Sequence, residues 1–167
     1  ELPFAKPVYP VVPTLFEIAR KAGFTTALDV GKPKFAVLDK PGTLDWSSVP
    51  REHNLQDSTV TDTAVAWITA HRPQVFFVHL PRVDLTGHDL GWGGPEQLAA
   101  AAFADRCVGR ILDAVRRAGL EDSTLVIVTA DHGGAGKGHG PDDARSRTIP
   151  WIAVGPGVRA NVDLSTI

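Results

Sequence analysis

The sequence predicts an α/β protein in which helices cover both faces of a mainly parallel sheet. Three observations predict this class: apolar runs of strand length, stretches with helical periodicity, and the alternation of the two along the chain. The runs QVFFVHL (residues 74–80) and STLVIVTA (residues 123–130) are continuous and apolar, as buried parallel strands usually are. The expected order is helix, strand, helix, strand, helix, strand, strand, which indicates a layered domain.

Local signals place the elements in the first third of the chain. Thr14 and Glu17 have the spacing of a capping box, and Gly23 offers a stop, so a short helix is expected here. A strand rich in β-formers is expected at residues 24–30. Residues 31–58 contain many turn formers and are expected to be mostly loop.

The later elements are predicted in the same way. KFAVL (34–38) is apolar enough for a short strand, and TDTAVAWITAHR (61–72) has helical spacing. The longest helix is expected to begin at Pro95, which suits a first turn, and to end at Gly119. TIPWIAVG (148–155) predicts a further buried strand.

Composition limits the classes of protein that the chain can be. With 167 residues, 43% of them hydrophobic, the chain is long enough for one domain with a real core, and we assign residues 1–167 to it. The net charge of −2 gives no basic surface for nucleic acid, and no apolar run approaches the roughly 20 residues that span a bilayer. Cys107 is the only cysteine, so neither an intrachain disulfide nor a cysteine metal site is expected. The sequence does not indicate an oligomeric state.

Two polar segments follow predicted strands and carry the most informative side chains. Because ligands in α/β sheets bind beyond the carboxyl ends of the strands, carboxylates and imidazoles placed there can converge at one edge. Together they form a plausible nitrogen and oxygen ligand set for zinc, manganese or iron. The loop at 82–94 contributes Asp84 and His88, and the loop at 131–140 contributes Asp131, His132 and His139.

Glycines in the second loop give its chain the freedom to turn. Gly133 and Gly134 are expected to let the backbone reverse after the strand, with positive φ available, so that both neighbouring ligands reach one ion. The loop does not match a phosphate-binding P-loop, because Asp131 and Gly138 stand where a glycine and a Ser or Thr are required. A dinucleotide fingerprint also fails, since its last glycine would fall on His139.

Each of these residues also has a simpler interpretation. A single Asp after a strand is usually a turn residue, and a single loop histidine is usually solvated; only the joint placement of five favours a metal site. Lys137, Arg145 and Arg147 could meet an anionic substrate, although solvated loop charges are the favoured interpretation. Trp92 either lines a pocket or anchors its loop.

The sequence resembles the alkaline phosphatase superfamily, in its type I phosphodiesterase/nucleotide pyrophosphatase branch. VDLTGHDLGWGG (83–94) is similar to that family's Asp-x-x-Gly-His element, and TLVIVTADHGGAGKGHG (124–140) is similar to its Ala-Asp-His-Gly element with a later His-Gly. RTIPWIAVGPGV (147–158) resembles the strand that follows. The similarity runs from about Thr14 to Val158 in the family's order. It implies a three-layer α/β/α sandwich of the alkaline phosphatase type.

The resemblance also implies a binuclear metal site that acts on a small phosphate ester. Two divalent ions are implied, zinc before manganese or iron, of which one is bound by Asp84, His88 and His139 and the other by Asp131 and His132. In such enzymes a metal-bound Thr or Ser attacks phosphorus, and two ions can stabilise the attacking and leaving oxygens. The family places that nucleophile and a further metal-binding Asp upstream of the helix that begins at Thr14. We therefore expect both upstream of this chain, which would be a C-terminal part of the catalytic domain.

Several functions share this pattern. We expect a metal-dependent phosphoric ester hydrolase of the phosphodiesterase or phosphatase type. The alternatives are an inactive metal-binding or interaction domain of the same fold, and a sulfatase, phosphonate hydrolase or phosphomutase relative. The resemblance slightly favours a location outside the cytoplasm.

Overall fold

The computed structural model describes residues 8–164 and has the expected α/β architecture. Its central sheet has three parallel strands in the order β2-β1-β3. Strand β1 lies in the middle, so all five of its residues are buried. The strands are β1 (Thr26–Val30), β2 (Trp46–Ser48) and β3 (Val75–His79).

Helices cover both faces of this sheet. On one face, Leu28 and Val30 pack with Phe16 of helix α1 (Leu15–Lys21). On the other face lies helix α2 (Asp57–His71), whose Trp67 ring is 5.9 Å from the ring of Phe76 on β3. Alternate strand residues point to opposite faces of a sheet, so α1 covers the side chains on one face and α2 covers those on the other. The sheet is therefore enclosed between helices.

The first helix has the predicted capping box. The backbone N–H of Thr14 donates to the Glu17 carboxylate at 2.8 Å, and the Glu17 N–H donates to the Thr14 hydroxyl at 3.3 Å. The expectation for residues 31–58 was partly wrong. A 3-10 helix (Pro33–Leu38) stands where a short strand was expected, because Pro33 suits a first helical turn and the i, i+3 spacing brings Phe35 and Leu38 to the core together.

The last two strands form a separate antiparallel pair, β4 (Val126–Thr129) with β5 (Trp151–Val154). Both were expected to be buried, and this was wrong. Ile127 is 45% exposed and Ile152 is 60% exposed, because among residues 8–164 neither strand is hydrogen-bonded to the three-stranded sheet. Consequently β3 and β4, whose ends were expected at the edge of one sheet, belong to different sheets.

The segment after β3 is a helix, not the predicted loop. Helix α3 (Arg82–Leu90) contains Gly87, a poor helix former, which obscured the pattern. Gly87 is buried here, and a Cβ on it would lie 2.7 Å from the Trp92 indole. The helix ends at Leu90 and is capped by Gly91, where φ is 109°. Steric demand from Trp92 therefore explains why a glycine stands inside this helix.

The remaining helices frame the site. Helix α4 (Pro95–Arg117) begins at Pro95 as predicted and packs against α2 and α3. A short helix, α5 (Ala144–Arg147), precedes β5. Across residues 8–164, no helix is long and apolar enough to cross a membrane.

A candidate metal centre

Helix α3 brings Asp84 and His88 to one side of its surface. Residues four apart on a helix are neighbours, and the His88 Nε2 lies 3.4 Å from Asp84 Oδ1. The other ring nitrogen, Nδ1, donates to the carbonyl of Lys137 at 3.1 Å. A hydrogen bond of this kind fixes the tautomer that leaves Nε2 free to bind a metal.

The loop after β4 places its side chains against those of α3. The His132 Nε2 is 3.6 Å from Asp84 Oδ1 and 3.8 Å from Asp131 Oδ2, while its Nδ1 donates to the Gly133 carbonyl at 2.8 Å. The His139 ring stacks on the His132 ring, with centroids 3.7 Å apart. The structure thus brings together the side chains that the sequence singled out, from two segments about fifty residues apart in the chain.

Close packing explains the glycines in this loop. A Cβ on Gly133 would lie 2.1 Å from the Arg145 carbonyl, and a Cβ on Gly134 would lie 2.3 Å from the Trp92 indole. Positive φ, which was the expected reason, occurs instead at Gly136, where φ is 58°. Gly133 and Gly134 are therefore required for space.

Three of the side chains have ligand atoms close enough for one ion. Those of Asp84, His88 and His139 all lie within 4.8 Å of one another. Within residues 8–164, Asp84 Oδ1 is buried and receives no hydrogen bond, although it faces the imidazoles. A buried carboxylate oxygen in that setting needs a cation or a donor. This donor set of imidazole nitrogen and carboxylate oxygen fits zinc, manganese or iron.

Two lysines at the cluster were missed by the sequence reasoning. Lys32 forms an ion pair with Asp84 Oδ2, and the Lys34 Nζ lies 3.8 Å from Asp131 Oδ2. Both follow β1, the central strand, so the rule that ligands gather beyond strand ends could have indicated them. The loops meet closely at Gly31, where a Cβ would lie 2.4 Å from the Pro81 ring.

Charge and burial tune the cluster. Burial opposes ionisation of Asp84, but the hydrogen bond and charge of Lys32 outweigh it, helped by His88 and His132, and hold the pKa of Asp84 below its ordinary value. Desolvation lowers the pKa of His139, and the neighbouring imidazoles add to this effect. An ionised carboxylate and a neutral imidazole are the states that bind metal.

Trp92 is the aromatic centre of the site. Its ring centroid lies 4.9 Å from that of His88, 6.1 Å from that of His139 and 6.4 Å from that of His132. The backbone N–H of Trp92 donates to the Gly136 carbonyl at 2.7 Å, which ties α3 to the second loop. Trp92 thus both anchors its own segment and packs against the candidate ligands.

The fold and this cluster define an α/β protein with a candidate metal centre built on two segments, the helix after β3 and the loop after β4. The family model for type I phosphodiesterase/nucleotide pyrophosphatase matches residues 7–140, which include every candidate ligand. The chain belongs to this family.

Proteins similar to this chain have names that describe several different activities. Ectonucleotide pyrophosphatase/phosphodiesterase family member 7 of Rattus norvegicus is 32% identical over 85 residues, covering 48% of this chain and 19% of the relative. GPI ethanolamine phosphate transferase 1 of Gibberella zeae is 36% identical over 87 residues, covering 52% of this chain and 9% of the relative. A 2,3-bisphosphoglycerate-independent phosphoglycerate mutase of Shewanella baltica is 25% identical and covers 92% of this chain and 33% of the relative. The chain therefore spans a third or less of these proteins.

Solved structures support the fold. Murine ectonucleotide pyrophosphatase/phosphodiesterase 5 in complex with AMP matches with a TM-score of 0.58 at 23% identity, covering 72% of this chain and 32% of that chain. The human protein of the same name matches with a TM-score of 0.55 at 20% identity. At this identity the likeness establishes the alkaline phosphatase-like fold and nothing finer.

Proposed function

We propose that the intact protein is a metal-dependent hydrolase of phosphoric esters that acts through a binuclear site. Asp84, His88 and His139 would bind one ion, and Asp131 and His132 the other. The observation that carries the proposal is the buried Asp84 Oδ1, which faces imidazoles and lacks a hydrogen bond within the described residues. Zinc is the first choice for these ligands, with manganese or iron as alternatives.

The chain's own groups would orient and hold these ions. Bound divalent ions would supply Lewis acidity at phosphorus and activate an attacking oxygen. The Nδ1 hydrogen bonds of His88 and His132 to backbone carbonyls hold the Nε2 atoms toward the carboxylates. Lys32 contacts Asp84 through Oδ2, which leaves Oδ1 directed at the imidazoles. The nucleophile and a further Asp are proposed to lie upstream, as the family resemblance implies.

The substrate is proposed to be a small phosphate ester. The relatives named above include a phosphodiesterase, a transferase and a mutase, so the family alone leaves the ester type open. An inactive domain that retains the metal ligands is the second candidate, and sulfatase or phosphonate hydrolase chemistry is a variant of the first. A location outside the cytoplasm stays a prediction.

A chelation experiment tests the proposal. The intact protein is treated with EDTA, then given Zn²⁺, and assayed on p-nitrophenyl phosphate and bis(p-nitrophenyl) phosphate. Activity should disappear with EDTA and return with the metal. His132→Ala should lose about a hundredfold in kcat, because a bound ion contributes several kcal/mol to transition-state stabilisation. His53→Ala, at an exposed position outside the cluster, should be unaffected. Full activity in His132→Ala would refute the assignment, and metal binding without hydrolysis would favour the inactive domain.

A further inference from the structure

A cleft of about 360 Å³ opens beside the candidate metal centre. Its walls include three of the candidate ligands and two residues of the α5 segment. A cavity of this size accommodates a small molecule and not merely a phosphoryl group. The cleft is lined by Asp131, His132, His139, Gly140, Pro141, Ser146 and Arg147.

Hydrogen bonds join the α5 segment to the loop that carries the candidate ligands. The Gly133 N–H donates to the Ser146 carbonyl at 2.8 Å, and the Gly140 N–H donates to the Ser146 hydroxyl at 3.1 Å. Ser146 itself is buried. Arg147, the next residue, therefore extends from a backbone that is tied to both ends of the candidate ligand loop.

The two arginines of α5 differ in their partners. Arg145 is held by Asp143 through two contacts, Nε to Oδ1 at 3.1 Å and Nη2 to Oδ2 at 2.8 Å. Arg147 has no ion pair among residues 8–164 and lines the cleft, which Arg145 does not. A guanidinium without an ion pair, on a hydrogen-bonded backbone beside the candidate metal centre, is suited to bind an oxyanion in a bidentate manner.

We propose that Arg147 forms an anion subsite that binds a second negatively charged group of the substrate, a carboxylate or a phosphate. This inference rests on the proposed function, in which the ions bind the phosphoryl group that is attacked. Lys34 already lies beside the Asp131 carboxylate, so the charge of Arg147 is not needed to neutralise Asp131. The preferred substrates would therefore be phosphate esters whose organic part carries its own oxyanion.

Two isosteric substrates test the subsite. The intact, zinc-loaded protein is assayed with 4-carboxyphenyl phosphate and with 4-carbamoylphenyl phosphate, which differ in the charge of one group; both are also supplied as methyl diesters. The wild type should prefer the carboxylate by about tenfold in kcat/KM, as a charge-assisted hydrogen bond of about 1.4 kcal/mol would give. Arg147→Ala should abolish the preference by raising KM for the carboxylate, and Arg145→Ala should retain it.

The outcomes separate this inference from the proposed function. An Arg147→Ala variant that loses activity equally on both substrates would overturn the subsite, because Arg147 would then act on the phosphoryl group or on folding. An unchanged preference would overturn it as well. If the wild type hydrolysed none of the four esters, that result would instead refute the proposed function.

Discussion

The indole of Trp92 stands edge-on to the imidazole of His88, with an interplanar angle of 89° and ring centroids 4.9 Å apart. This arrangement places a fluorescent side chain within a few ångströms of the nitrogen that faces Asp84. It also explains two glycines, Gly87 and Gly134, whose positions leave no room for a Cβ next to the indole. The fluorescence of Trp92 should therefore respond to an ion bound at the candidate metal centre.

Binding of Co²⁺ should quench the emission of Trp92, because a paramagnetic ion quenches an indole at contact distances. We expect a titration of the wild-type protein to show quenching that saturates and that EDTA reverses. Trp92→Phe should lose this quenching while calorimetry still detects Co²⁺ binding. Trp67→Phe, which alters an indole of α2 that packs on Phe76 of β3, should keep the quenching. Equal fractional quenching in wild type and Trp92→Phe would contradict the placement of the ion.

Replacement of Gly133 by Ala should damage the second loop, because the new Cβ would lie 2.1 Å from the Arg145 carbonyl, a backbone atom that cannot swing away. Overpacking of this kind costs about 1–3 kcal/mol. Chemical denaturation should show this loss, and zinc affinity should fall with it because His132 is the adjacent residue. Gly138→Ala is the matched control, since its Cβ meets nothing within 4 Å. Equal stability of the two variants would argue against the close contact.

The side chains chosen from the sequence lie close together in the structure, whereas the elements that carry them were predicted less well. Asp84, His88, Asp131, His132 and His139 were chosen from residue type and position after strands, and the structure brings their side chains together. Whether they bind metal stays a prediction. The helical conformation around Asp84 was missed because Gly87 and Thr86 weaken the helix signal, while the packing of Trp92 that compensates is a tertiary contact.

Other features were not accessible from local patterns. The ion pair of Lys32 with Asp84 joins residues 52 positions apart, and no local periodicity indicates such a contact. The separation of β4 and β5 from the main sheet was also missed, because an apolar run indicates a strand but not its hydrogen-bonded neighbours.

Asp29 should make the protein less stable as the pH rises. It is fully buried in β1, and burial raises its pKa to about 7 from the ordinary 3.8, with the Ser48 hydroxyl opposing the shift. Between pH 3.8 and about 7 the folded state therefore binds a proton that the unfolded state has released. The contribution of protonated Asp29 to stability is therefore fully present below pH 3.8, and it is lost as the pH rises to about 7.

Asp29→Asn removes this dependence while keeping the shape of the side chain. We expect the variant to match the wild type near pH 4 and to exceed it by about 2–4 kcal/mol near pH 8, measured by urea denaturation. Asp122→Asn, at an exposed position, should give no such divergence. A variant that tracks the wild type at both pH values would show that Asp29 titrates normally in the fold.

Replacement of Lys32 by Ala should lower the stability of the protein more without a bound metal ion than with one. Its side chain is 13% exposed and that of Asp84 is 18% exposed, so the pair is largely removed from water. Without Lys32, the Asp84 carboxylate would lose the cation that pairs with Oδ2, and the loss of one partner of such a pair costs about 2 kcal/mol.

A divalent ion bound at Oδ1 would restore much of the lost charge compensation at the Asp84 carboxylate. Zn²⁺ should therefore raise the melting temperature of Lys32→Ala more than that of the wild type. Lys40→Ala is the control, because Lys40 pairs with Glu17 of α1, away from the cluster. The stability that Lys40→Ala loses should be equal with Zn²⁺ and with EDTA. If Zn²⁺ stabilises Lys32→Ala and the wild type equally, the charge of Lys32 and the charge of the ion do not act on the same carboxylate, and the assignment of Asp84 as a ligand fails with it.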